Sequence, residues 1–371
     1  MRKSVRGIGI VWILAGISLG VIGILVGSFL DLSLAKTIYH ENNLFGKVVG
    51  YIGSLPAYVV FGFAGVFLGR YFLSEEKKVW HILGYVAKYG FPLIVGLIYG
   101  YDVLKDSFGT LVGLGGGAVL VFLLDFGLSY LLKNVTSPKE DFKDALILLF
   151  AFVFGLGLTL LLKHFIIRPR YLYLATLENT DEFRAWYDFS STLLKDHPEL
   201  DHDLVASAPS GHTMLSALGL GSVLLAKNHK KTQGKEWIFS LASLLWTLFV
   251  AIGRMSDGHH FLSDISWSML LGFGLIGFFA FVLGHSYPEF EKNAEQRRIY
   301  RWNEALISRK ENFDTILVSQ RSFQMMRRKN ARLHVKSKTT LCVRRTRKGG
   351  SIKIGNTYRR LRVKSCSNPN T

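Results

Sequence analysis

Residues 144–172 read DALILLFAFVFGLGLTLLLKHFIIRPRYL, and the reading of this stretch decides the fold. From Ala145 to Leu162 no side chain is charged, and then Lys163, His164, Arg168 and Arg170 follow in quick succession. A helix needs about 20 predominantly apolar residues to cross the hydrocarbon of a bilayer. The segment 144–162 therefore reads as a transmembrane helix that delivers a group of cations to one membrane face.

Working outward, the same pattern recurs at 7–30, 52–72, 81–101, 110–132, 211–227, 237–253 and 265–284. Hydrophobic residues make up 49% of the 371 and charged residues 19%, a balance that argues against a set of soluble domains. Open sheets cannot satisfy their backbone in lipid, so the expected fold class is all-α, a polytopic membrane helical bundle of about eight transmembrane helices. The first block is too long for a cleaved signal peptide, and no small-x-small site clearly follows it. Lysine and arginine set orientation. Arg2, Lys3 and Arg6, the loop lysines 77 and 78, the loop lysines 133, 139 and 143, and the loop lysines 230, 231 and 235 fall on one side of an alternating eight-segment chain. That side is expected to be cytoplasmic, together with both termini, and the segments 163–210 and 254–264 are expected to face outward. The sequon at Asn134 then lies on the cytoplasmic side.

Lys88 and Asp125 stand inside apolar blocks, where isolated charge is expensive. Equal depth on consecutive antiparallel helices suggests an ion pair; the other reading has Lys88 snorkelling and Asp125 facing other polar groups. Cys342 and Cys366 are the only cysteines and support neither a metal site nor a disulfide framework.

Three clusters fall at the outward ends of apolar blocks: KHFIIRPRYL, the APSGH that opens 211–227, and GRMSDGHHFLSDI between the last two blocks. In the second, Ser210 stands where a helix N-cap belongs and Gly211 allows close backbone approach, a natural seat for an anion. In the third, His260 and Asp264 are four residues apart and share one face if the helix begins early enough. A carboxylate bonded to one imidazole nitrogen fixes the tautomer and leaves the other nitrogen free to attack. Lys163, Arg170 and Arg254 supply fixed cations suited to a phosphoryl group in transfer. Two histidines divide the work, one attacking phosphorus and the other protonating the leaving oxygen.

Lys163, six residues, then Arg170; Pro209-Ser210-Gly211-His212; and Arg254, five residues, His260, three residues, Asp264 resemble the three signature motifs of the phosphatidic acid phosphatase type 2 superfamily, in the lipid phosphate phosphatase branch. The resemblance covers roughly residues 80 to 285. It divides the chain into N-terminal transmembrane helices at 1–79, a six-helix phosphatase core at 80–285 and a basic tail at 286–371. It implies that His260 is the nucleophile, forming a phosphohistidine and oriented by Asp264, and that His212 is the general acid. Lys163, Arg170, Arg254, Ser210 and the Gly211 backbone would bind phosphate. No metal or other cofactor is expected, because side-chain cations stand in for it. Counting from Arg254 and from Asp264 selects His260 over His259. The sequence departs from the family pattern twice: Tyr171 follows Arg170 where proline is usual, and Gly253 precedes Arg254 where serine is usual. Neither change removes a reacting group.

The expected activity is hydrolysis of a lipid phosphomonoester or diphosphate: phosphatidic acid, phosphatidylglycerophosphate or a polyprenyl diphosphate. The alternatives are transfer to an acceptor other than water with the same residues, and a transport or lipid-binding protein without catalysis. A Ser210-based hydrolase lacks a nucleophile-elbow sequence and leaves three convergent cations unexplained. A transporter would place its charges near the bilayer midplane, with repeated halves. Arg168 alone reads as a membrane-edge anchor, and Asp201-His202-Asp203 as a solvated loop rather than a metal cluster. Residues 321–371 hold sixteen Lys or Arg and no Asp or Glu, so the tail is expected to be disordered toward its end. It suits an anionic lipid surface or RNA held without sequence preference; no specific nucleic acid is expected.

Overall fold

The computed structural model describes residues 4–5, 8–104, 108–131, 137–177, 180–188, 190–191, 193–229, 232, 234–285 and, beyond these, 308–309, 316–319, 332–334, 340–346, 349–354, 357–360 and 363–364. The chain forms two units, Met1–Ser286 and Tyr287–Thr371. The first takes in both the N-terminal helices and the core, which the sequence reading separates at 79/80.

The first unit is an all-α membrane bundle. Its helices are α1 (Ile10–Ile38), α2 (Leu44–Ile52), α3 (Leu55–Leu73), α4 (Lys78–Tyr85), α5 (Phe91–Tyr99), α6 (Thr110–Leu131), α7 (Pro138–Phe165), α8 (Gly211–Leu218), α9 (Ser222–Lys227), α10 (Glu236–Ser256) and α11 (Leu262–His285). Short helices at Tyr171–Thr176 and Leu193–Asp196 lie in the long connection before α8. The starts are chemically marked. Asn43 caps α2 by accepting from Phe45 N, and Ser137 and Glu140 form a reciprocal capping box ahead of Pro138.

Among the described residues, seven stretches rather than the expected eight or so are long and apolar enough to cross a membrane: Ile10–Ile38, Leu44–Leu73, Lys78–Leu104, Thr110–Tyr130, Pro138–Phe165, Glu236–Ser256 and Leu262–Leu283. The expected segment 211–227 is the exception. A 3-10 turn at Gly219–Gly221 breaks it into α8 and α9, and Thr213–Leu218 and Val223–Ala226 are buried. It runs inside a ring of α3, α7, α10 and α11. Surrounded by protein, it can bend without exposing polar backbone to lipid.

The bundle closes on itself through α1 and α11. Gly16, Gly20 and Gly27 lie along their seam; a Cβ at these positions would come within 2.2 Å of Phe273, 2.8 Å of Ser266 O and 2.8 Å of Ser263 N. Small residues at such spacing let two membrane helices approach backbone to backbone.

Lys88 and Asp125 do not pair. Lys88 lies with Nζ 5.1 Å from the Tyr89 ring centroid. Asp125 is buried against α3, where a Cβ on Gly62 would fall 1.9 Å from Oδ2, and neither carboxylate oxygen has a hydrogen-bond partner among the described residues. Equal depth along two helices says nothing of the direction in which each side chain leaves its axis.

In the second unit, Arg332–His334, Thr340–Thr346, Gly349–Ile354 and Thr357–Arg360 form an antiparallel four-stranded sheet; the rest of the tail expected to be disordered toward its end lies largely outside the described residues. Ile316–Ser319 pairs antiparallel with Ser308–Arg309 and parallel with Val363–Lys364.

Candidate active site

Three connections meet at one end of the bundle, and backbone hydrogen bonds zip them together. Arg168 N donates to Val205 O (2.7 Å), Ser207 N to Arg168 O (3.1 Å) and Arg170 N to Leu204 O (2.8 Å). The chain leaving α7 therefore runs beside the chain entering α8. Leu172 N donates to Gly258 O (3.0 Å), which adds the α10–α11 turn to the same layer. Gly258 adopts φ +74°, a left-handed conformation that a side chain disfavours, and a Cβ there would lie 2.7 Å from Tyr39. The turn brings His260 back so that its N–H donates to Arg254 O (3.2 Å).

His260 is 2% exposed, and its Nδ1 lies 2.5 Å from Ser207 O. A carbonyl only accepts, so Nδ1 carries the proton and the neutral ring leaves Nε2 with its lone pair bare. Burial holds the imidazole well below its usual basicity, and the charges of Arg254, Arg170, Lys163 and His259 push the same way. The cations from α7, the loop after it and α10 thus act on one imidazole. His212, in the first turn of α8, donates from Nε2 to Gly50 O (2.9 Å), which leaves Nδ1 as the nitrogen able to gain and lose a proton. Ser210 is the N-cap of α8; its Oγ accepts from Thr213 N and from Thr213 Oγ1.

Two of the cations hold carboxylates. Arg170 Nη2 pairs with Asp203 Oδ1 at 2.5 Å, and the Asp203 side chain is 64% exposed. Arg254 Nη1 pairs with Asp257 Oδ2 at 2.9 Å, while Asp257 Oδ1 lies 2.8 Å from His259 Nδ1. The buried Nε atoms of Arg170 and Arg254 have no acceptor among the described residues. They are spare donors suited to an anion.

Asp264 does not touch the His260 ring, contrary to the expectation from their spacing. Its Oδ1 is paired with Arg168 Nη1, and its Oδ2 accepts from Ser207 Oγ (2.6 Å) and Phe261 N (2.9 Å). The carboxylate reaches His260 only through Ser207. The cause is Arg168, which is not a membrane-edge anchor but is 1% exposed. Its Nη2 pairs with Asp31 Oδ2 (2.8 Å), its Nε donates to Arg184 O (2.8 Å), and its guanidinium lies 4.3 Å from the Phe261 ring centroid.

Sequence reasoning missed Asp31, Ser207, Asp257 and Gly50. Asp31 sits one residue past the apolar block read as 7–30, and a carboxylate at that edge of a helix is itself a signal. Gly50 had no signal, because its role depends on how α2 docks. Its carbonyl holds His212, while a Cβ on it would lie 3.0 Å from Arg254 Nη1. Gly46 faces Asp257 on the same helix face. Asp203 belongs to the triplet read as solvated; it is exposed, yet it also clamps Arg170.

No curated protein and no solved structure matches the chain. The family comparison does match, over residues 144–286, which carry all three motifs and nearly every side chain described above. The matching model is that of the PAP2 superfamily, so residues 144–286 resemble that family, which supports a phosphatase-type function in general.

Proposed function

We propose that this protein hydrolyses the phosphomonoester or diphosphate of a membrane lipid through a phosphohistidine on His260. The observation that carries the reading is the His260 ring, fixed by Ser207 with Nε2 bare and ringed by Arg254, Arg170 and Lys163. Nε2 attacks phosphorus; the bond to the leaving oxygen breaks, and that oxygen takes a proton from His212 Nδ1. Water then attacks phosphorus while His212 accepts its proton, the P–N bond breaks, and neutral His260 returns. Lys163, Arg170, Arg254, the Ser210 hydroxyl and the opening N–H of α8 at Gly211 are suited to the phosphoryl oxygens. Substrate displaces the exposed Asp203 carboxylate from Arg170.

Lysines 77, 133, 230, 231 and 235 fall, by the alternation read from the sequence, on the side away from the three motif clusters. By the positive-inside rule the site faces away from the cytoplasm. There an amphiphilic phosphate enters sideways from the bilayer. Phosphate release from phosphatidic acid, phosphatidylglycerophosphate and a polyprenyl diphosphate, measured with EDTA present, tests the reading and ranks the substrates. A folded protein that releases phosphate from none of them would overturn it.

The pH dependence follows from the same ring. Burial and neighbouring cations oppose protonation of His260. The nucleophilic neutral form therefore persists below about pH 6.5, the ordinary histidine value, and is lost only as pH falls through the lowered one. Corrected for substrate ionisation, kcat/KM should show no acid-side loss from neutrality down through that value, because His212, the acid, is held below its usual basicity by burial and Arg254 and gains its proton over the same range. A nucleophile limb at or above it would contradict the assignment.

Gly50→Val tests the role of α2. The added side chain must displace the Arg254 guanidinium while the His212 contact, made by the backbone, stays in place. Misplacement of a binding cation by about 1 Å can cost on the order of 100-fold, and most of the loss should appear in KM. An unchanged KM would place Arg254 outside the phosphate seat.

A further inference from the structure

Beneath the nucleophile lies a charge arrangement that residues 144–286 do not complete by themselves. Asp264, Arg168 and Asp31 form one buried string, exposed by 0%, 1% and 3%. All contacts to the two carboxylates come from donors. Asp264 receives Arg168 Nη1, Ser207 Oγ and Phe261 N. Asp31 receives Arg168 Nη2, Ser263 Oγ and Ser263 N. Such a carboxylate is an acceptor only, which is the ionised form. The string therefore carries two negative charges and one positive charge. Had Asp264 and Arg168 stood alone, the guanidinium would cancel the carboxylate that faces Ser207. Asp31, on α1 and outside the family match, leaves the group with a net charge of about minus one.

We propose that Asp31 is a positioning residue for the reaction: through Arg168 it restores the negative charge behind Ser207 and His260, and so stabilises the cationic ring of the phosphohistidine. A ring that keeps its proton on Nδ1 and bonds phosphorus through Nε2 is positively charged. The cations acting on it, Arg254, Arg170 and Lys163, disfavour that charge. The net negative string on the Ser207 side offsets them while Asp264 and Ser207 hold the ring in line. This rests on the hydrolase reading above.

The test compares Asp31→Asn with the double variant Asp31→Asn/Arg168→Gln in the full-length protein. The single variant leaves the string neutral; the double returns it to one negative charge on Asp264. Turnover of phosphatidic acid by Asp31→Asn should fall about 10-fold or more in kcat, with KM within about 3-fold, because the charge acts on the intermediate rather than on binding. The double variant should regain most of that loss. A packing role predicts the reverse, since the double disrupts more contacts than the single. An unchanged kcat in Asp31→Asn, or a double variant worse than the single, overturns the proposal.

A second arm needs no turnover. The His260 resonance, labelled with nitrogen-15 and identified by its absence in His260→Gln, should titrate about one pH unit lower in Asp31→Asn and return toward the wild-type value in the double variant. If no lipid phosphate is hydrolysed by the wild type, the hydrolase reading fails and this titration still decides the charge effect; an unmoved titration overturns it. Should Asp31→Asn not fold, the double variant carries the test, with wild-type-like titration expected from the charge count and a lowered one against it.

Discussion

Replacing His260 with alanine should abolish phosphate release, by about 10,000-fold or more, while the protein remains folded. Loss of a nucleophile in a covalent mechanism leaves only what substrate positioning supplies. The ring makes one polar contact of its own, with Ser207 O, and that carbonyl can be rehydrated in the space the ring vacates. His212→Ala should be milder, on the order of 100- to 10,000-fold, because only proton transfer is lost. The two variants also differ in kind. Wild type and His212→Ala should accumulate an acid-labile phosphoryl group on the protein in rapid-quench experiments, and His260→Ala should not. Residual turnover above about 1% in folded His260→Ala would move the nucleophile elsewhere, with Ser210 the nearest candidate by chemistry.

Arg168→Ala should be the most destabilising single change in the bundle. Removing one partner of a buried ion pair costs about 3–5 kcal/mol, because the opposite charge stays buried without compensation, and here two carboxylates are stranded at once. Unfolding in detergent, followed by helical circular dichroism, measures it. Arg184→Ala is the control. Its pairing with Glu182 at 3.6 Å is partly exposed on both sides, and exposed pairs contribute at most about 1 kcal/mol. Equal losses from the two variants would mean that the buried string is not what holds the loops together.

The apolar blocks disclosed the bundle because length and composition are properties of a segment alone. The three motifs disclosed which connections meet at the site for the same reason, and they lead to His260, His212, Arg254 and Arg170. What stayed hidden is relational. The spacing of His260 and Asp264 gives a shared face only if the helix begins by His260, whereas α11 begins at Leu262 and Arg168 claims the carboxylate. Arg168 in turn looked like one more cation at a membrane edge, because its partners lie 137 and 96 residues away. Depth along an apolar block paired Lys88 with Asp125, but helix rotation separates them. The broken helix at 211–227 matched a membrane span by composition because burial in protein and burial in lipid call for the same side chains.

The glycine seam between α1 and α11 bears on the order in which the protein is made. Helix α1 leaves the ribosome well before α11, against which it packs. Between Asp31 and the end of α11 stand roughly 250 residues, which at about 5–20 residues per second take on the order of ten to fifty seconds to synthesise. Arg168 follows Asp31 by 137 residues and Ser263 by 232, so Asp31 gains its partners one after the other while the seam stays open. Closure of the α1–α11 seam is thus a late event, and Asp31 is locked to both Arg168 and Ser263 only after α11 has begun to emerge.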